Sequence, residues 1–66
     1  MKVFIVCEWT SNEGMHSLHV CGTLEKAKDK LKEIATEKNG TVINDGMYCK
    51  FKYDYEFIEI EEYNVI

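Results

Sequence analysis

The chain has no proline and only four glycines, so nothing in it reads as a Pro-rich linker, and neither repeats nor low-complexity segments appear. Long hydrophobic runs are also missing. No stretch approaches the roughly 20 apolar residues of a membrane-spanning helix. The apolar run at the N-terminus, Val3 to Cys7, is shorter than a signal-peptide core, and Glu8 and Trp9 follow it directly. Cysteine is scarce and odd in number: Cys7, Cys21 and Cys49, with no C-x-x-C pair. A secreted mini-domain stapled by disulfides shows an even and denser set. Free buried thiols in a reducing, cytoplasmic compartment are expected instead. Positive charge is in deficit, with 8 lysines and arginines against 12 acids, a net charge of −4 and a pI near 5.0. Such a surface repels phosphate backbones, so nucleic acid is not the default partner.

What remains is a 66-residue chain that is 45% hydrophobic, enough for one globular domain over residues 1–66. A chain this short buries roughly 60% of the surface its unfolded form exposes. Ordering it costs roughly 1.5 kcal/mol per residue, so most apolar side chains are committed to the core. Few are left to line a deep substrate pocket, which argues against an enzyme and gives no reason to expect a cofactor.

The pattern of residues places the elements. Lys2 to Trp9 is β-branched and aromatic and reads as a strand. Val3, Ile5, Cys7 and Trp9 share one face, and Phe4, Val6 and Glu8 the other. Both faces begin apolar, which predicts a central strand. Thr10 to Gly14 is a polar, glycine-terminated hairpin loop, and His16 to Cys21 a second strand. A hairpin centred near Gly14 would set Cys7 roughly opposite Cys21. Thr23 is placed as a helix N-cap, with Glu25 complementing the dipole in the first turn. Leu24, Ala27, Leu31, Ile34 and Ala35 form the stripe of an amphipathic helix, and Lys38-Asn39-Gly40 ends it. Its charged pairs roughly cancel, so the helix depends on packing of that stripe.

Thr41 to Ile43 is a short extended piece, and Asn44-Asp45-Gly46 a turn. Met47 to Tyr53 alternates, with Met47, Cys49 and Phe51 against Tyr48, Lys50 and Lys52. Phe57 to Val65 is the last strand. A turn at Asp54-Tyr55 would pair Phe51 with Ile58, Cys49 with Ile60 and Lys50 with Glu59. The alternation then slips at Glu61-Glu62, where either a β-bulge returns Tyr63 and Val65 to the core side, the preferred reading, or the strand ends and the tail crosses an edge. The fold class is α+β: a small antiparallel sheet of three to four strands with one helix on one face, in the order β-β-α-(β)-β-β.

Three segments carry a resemblance: Lys2-Val3-Phe4-Ile5-Val6, Thr23-Leu24-Glu25-Lys26-Ala27 and Ile60-Glu61-Glu62-Tyr63-Asn64-Val65. The chain resembles short bacterial and phage proteins that open with a K-V-[YF]-I-V strand. Those proteins carry an S/T-x-E-K-A helix start and close on an I-E-E-Y-E-V strand. The Thr41 to Lys52 segment is longer than that pattern, and Cys21 stands where an aromatic is common. The resemblance implies the fold and carries no assigned activity, so no catalytic residue follows from it.

Four groupings hold candidate chemistry. Cys7, His19, Cys21 and Cys49 are the types that ligate zinc, on strands rather than in knuckle loops. Packing alone also explains buried thiols. A Cys–His nucleophilic pair lacks an evident oxyanion loop or orienting group. Tyr48, Lys50 and Lys52 interleave an aromatic with cations, as in sheets that stack single-stranded bases; Glu59 and Glu61 would neutralise them. Asp54, Glu56, Glu59, Glu61 and Glu62 form an acidic stretch able to mimic a phosphate row in a basic groove, or to guard a strand edge against aggregation. Trp9, beside Met15 and the first loop, either caps the core or anchors a partner. No motif assigns an activity. The expectation is a small non-enzymatic protein-interaction module that binds through a sheet edge or the acidic strand, or pairs with itself along an exposed edge.

Overall fold

Thr23 has extended backbone and its hydroxyl accepts from the Lys26 N–H at 3.1 Å, opening helix α1 at Leu24–Lys38. Asn39 closes the helix in the left-handed region at φ 57°, and the Gly40 N–H returns to the Ala35 carbonyl at 2.8 Å. Both ends therefore lie where the capping residues predict. The computed structural model of the chain describes residues 1–11, 14–52 and 56–65.

Around α1 run five strands: β1 (Lys2–Thr10), β2 (Gly14–Cys21), β3 (Thr41–Ile43), β4 (Tyr48–Lys50) and β5 (Glu56–Asn64). They form one antiparallel sheet in the order β2-β1-β5-β4-β3. The α+β class and the single helix match the sequence reading. The strand count exceeds three to four because Thr41–Ile43 pairs fully with Tyr48–Lys50 as a hairpin. Its turn, Asn44–Gly46, places three successive residues at positive φ (53°, 57° and 87°), which Asn, Asp and Gly tolerate best. None of the helices among the described residues is long and apolar enough to cross a membrane.

The sheet has a covered face and an open one. The α1 stripe of Ala27, Leu31, Ile34 and Ala35 packs on Val6, Cys49, Ile58 and Ile60, with Phe4, Cys21, Leu24, Met47 and Phe51 around the margin. Pairing puts Val3, Ile5, Cys7 and Trp9 of β1 on the opposite face with Leu18 and Val20 of β2 and Phe57, Glu59, Glu61 and Tyr63 of β5. No helix among the described residues covers that side.

Three registers differ from expectation. The β1–β2 pairing sets Phe4 against Cys21 and Cys7 against Leu18. Cys7 is therefore not opposite Cys21. The hairpin closes at Thr10–Gly14, and an irregularity between Glu8 and Trp9 leaves His16 as the extra residue of β2. The β4–β5 pairing sets Cys49 against Ile58, Tyr48 against Glu59 and Lys50 against Phe57. That is two residues from the expected register, so the faces are right and the partners wrong. β4 stops at Lys50 and β5 starts at Glu56; the expected turn at Asp54-Tyr55 lies outside the described residues. Finally, β5 pairs with β1 without interruption from Glu56 to Asn64, so there is no bulge at Glu61-Glu62. Tyr63 lies on the open face and Val65 is exposed. The apparent slip in alternation marks a change of which face is apolar, not a change of register.

Candidate functional site

On the covered face Glu8 follows Phe4 and Val6 along β1, which drives a carboxylate to the edge of the core. It is buried, at 7% exposure. His19 Nε2 lies 2.9 Å from one carboxylate oxygen, and Lys38 Nζ, from the last turn of α1, donates to the other at 3.0 Å. Burial alone would push the Glu8 carboxyl up. Hydrogen bonds from His19, Lys38 and Ser17, with the Lys38 charge, outweigh it and hold the group at about 2. A cleft of about 420 Å³ opens beside this cluster, between Glu8, Ser17 and His19 on the sheet and Lys30, Glu33 and Glu37 on the helix.

Ser17, His19 and Glu8 are the residue types of a hydrolytic triad, but their geometry is not that of one. Ser17 Oγ (3.4 Å) and Glu8 (2.9 Å) both contact the same ring nitrogen, Nε2. A triad needs the two nitrogens to serve different partners, so that the base takes a proton on one while the other is held. The cluster works as an ion pair that ties the α1 C-terminus to the first hairpin. Sequence reasoning placed Glu8 on one face of β1 with Phe4 and Val6 but did not join it to His19. It missed Lys38, which only the docking of the helix brings within reach.

The open face carries a different arrangement. Trp9 stacks on Phe57 at 5.9 Å, and Phe57 on Tyr48 at 5.6 Å, each pair inclined by 12°. Three adjacent strands thus contribute to an aromatic ladder. Trp9 therefore sits away from the helix-packed core. Its indole N–H is buried outside hydrogen-bonding geometry from any described acceptor, with Glu59 close enough to draw some charge stabilisation from it. Beside the ladder Glu61 accepts from the Tyr63 hydroxyl at 2.7 Å and from the Cys7 thiol at 3.8 Å. Burial, then the neighbouring Glu61, raises the Glu59 carboxyl above its ordinary range. Burial, then Glu61 and Glu59, pushes the Cys7 thiol to about 11. The Cys49 thiol is raised by burial and by Glu56. Neither is a nucleophile near neutral pH.

The proposed metal set is not assembled. Cys7 is on the open face, while Cys49 joins the helix-packed core and Cys21 flanks it. Among the described residues no group of three or more His, Cys, Asp or Glu is gathered to hold an ion. All three thiols are free. The acidic stretch is split by strand alternation. Glu59 and Glu61 lie on the open face, Glu62 pairs with Lys2 at 3.6 Å, Glu56 stands opposite Thr10, and Asp54 is outside the described residues. Among the described residues these carboxylates therefore do not form one continuous row. Tyr48 and Lys50 share the open face, but one side of the Tyr48 ring is occupied by Phe57, and Lys52 lies beyond the end of β4.

The chain belongs to a family whose function is not assigned: the model of the domain of unknown function DUF7336 matches residues 1–66. Neither the curated proteins nor the solved structures contain a match.

Proposed function

We propose that this chain is a small non-enzymatic protein-interaction module whose open sheet face docks on another protein. The observation that carries this reading is the composition of that face. An antiparallel sheet with one solvated side normally alternates apolar inward and polar outward. Here β1 presents Val3, Ile5, Cys7 and Trp9 to the side that no described helix covers, next to Phe57, Tyr48 and the half-exposed Tyr63. Aromatic side chains of this kind supply large, rigid contact area.

Charge identifies the partner's chemistry. Glu59 and Glu61 are the carboxylates of this apolar field, and Glu59 is already disfavoured as an anion by burial and by Glu61. A partner surface that sets a lysine or arginine among apolar side chains relieves that repulsion, whereas an acidic one compounds it. The cleft beside Glu8 supports catalysis less well, because its imidazole is committed at a single nitrogen and its lysines face carboxylates.

The test compares proteins retained from cell lysate by the wild-type chain and by a Glu59→Lys/Glu61→Lys variant, followed by reconstitution of the differential partner from pure components. The expected result is a basic partner whose Kd rises roughly tenfold or more with the charge reversal and is unchanged by Glu25→Lys on the exposed side of α1. A purified partner that ignores the Glu59/Glu61 reversal overturns the reading, as does a pair of columns that retain the same proteins.

A further inference from the structure

The two edges of the sheet are unlike. β3 is three residues long, whereas β2 runs eight, Gly14–Cys21, and has β1 on one side only. Edge strands expose a row of unpaired N–H and C=O groups, and proteins guard them with lysine, proline, short length or a covering element. Among the described residues β2 has none of these guards. It contains no proline and no Asp, Glu, Lys or Arg, in a chain that is 30% charged. Its irregularity lies near its start, opposite Glu8 and Trp9, and leaves Ser17 to Cys21 regularly paired. Along that regular stretch Leu18 is 52% and Val20 68% exposed.

From these features we infer that the β2 edge is a self-association site, where a second copy of this chain adds its own β2 antiparallel to form one continuous sheet through both molecules. The inference is independent of the partner proposed for the open face. Its occupant is a second copy because the segment is self-complementary. Leu18 and Val20 point to the same face, with His19 between them. A two-fold axis at His19 places Leu18 of each copy opposite Val20 of the other, and Ser17 opposite Cys21. Each exposed aliphatic side chain then finds an apolar cross-strand neighbour. The net charge of −4 would oppose most contacts between identical chains, but this strand contributes none of it.

Light scattering coupled to size exclusion tests the inference on the whole chain, from micromolar to about millimolar concentration. The wild type is expected to reach twice the 7.7 kDa of the single chain. Val20→Lys, a change at an exposed position, is expected to return the mass to that of one chain while circular dichroism and the thermal transition persist. Leu18→Lys provides the same test should Val20→Lys unfold. Register is read from disulfide trapping: a mixture of Leu18→Cys and Val20→Cys chains is expected to cross-link faster than either variant alone. A wild type that stays at one chain's mass throughout overturns the inference. A doubled mass that survives both lysine substitutions overturns it as well.

Discussion

Replacing Glu8 by glutamine keeps the shape of the side chain and removes the charge that His19 and Lys38 share. The folded protein holds this carboxyl at about 2, against an ordinary value of 4.5. At roughly 1.4 kcal/mol per pKa unit the ionised group stabilises the fold by about 3 kcal/mol before screening. The Lys38 and His19 side chains are 41% and 30% exposed, so water compensates part of what they lose. That discount leaves about 2 kcal/mol. For a domain of this size such a loss lowers Tm by roughly 8–16 °C near neutral pH. The sign with pH follows from the depressed value. The contribution is complete above about pH 4.5 and disappears as pH falls through about 2. Wild type and Glu8→Gln should therefore differ at pH 7 and converge toward pH 2, as measured by urea unfolding across that range. Glu62→Gln, which breaks the exposed pair with Lys2, should shift stability by no more than about 0.5 kcal/mol. If Glu8→Gln matched the wild type at pH 7, or the two curves fell in parallel on acidification, the stabilising role of the cluster would be refuted.

Two further outcomes can be checked on the isolated protein. A Cβ at Gly40 would collide with Cys49 Sγ and come within 2.8 Å of the Phe51 ring. Gly40→Ala should therefore cost about 1–3 kcal/mol of unfolding free energy through overpacking, whereas Gly22→Ala, with nothing within 4 Å, should be near neutral. Cys7 is 1% exposed with its thiol pushed to about 11, and Cys49 is fully buried. Iodoacetamide at about pH 8 should modify the half-buried Cys21 first, with Cys7 and Cys49 reacting on unfolding. Peptide mass mapping that finds Cys7 alkylated as fast as Cys21 would contradict this.

Much of the fold is legible in the residues, for local reasons. The helix has a capping threonine, a clean apolar stripe and an αL-tolerant Asn39, and each is a short-range signal. The faces of β1 and β4 follow from alternation, which has a period of two and survives errors in partner choice. Registers were lost because they depend on loops. The first hairpin closes at Thr10–Gly14 rather than around Gly14, so Cys7 meets Leu18, the extra residue at His16 turns Cys21 to the other face, and a two-residue offset replaced Lys50 by Tyr48 opposite Glu59. The candidate sites failed or survived on the same account. The metal set is not gathered because the observed register, one residue out of step beyond His16, puts Cys7 on the face opposite Cys21. The Glu8–His19–Lys38 cluster needed a contact across 30 residues that no periodicity encodes.

The open face and the free edge assign separate tasks to the same sheet, and exposure tells them apart. At the centre of the open face Cys7 is almost completely covered, with its thiol against Glu61. Toward β4 the aromatic ladder shields itself by stacking. Toward β2 no neighbour is left to cover Leu18 and Val20, and these are the side chains a second strand would bury. Pairing at β2 leaves Glu59, Glu61, Tyr63 and the ladder clear of the seam, because they lie on β1, β5 and β4, with β2 between them and the edge. A dimer would then present two such surfaces on one continuous sheet. A partner with two copies of the matching basic, apolar surface would bind the second with an effective concentration set by that spacing. Val20→Lys should accordingly weaken the apparent affinity for a bivalent partner while leaving a monovalent one unaffected. An equal loss for both would mean that Val20 belongs to the partner surface itself.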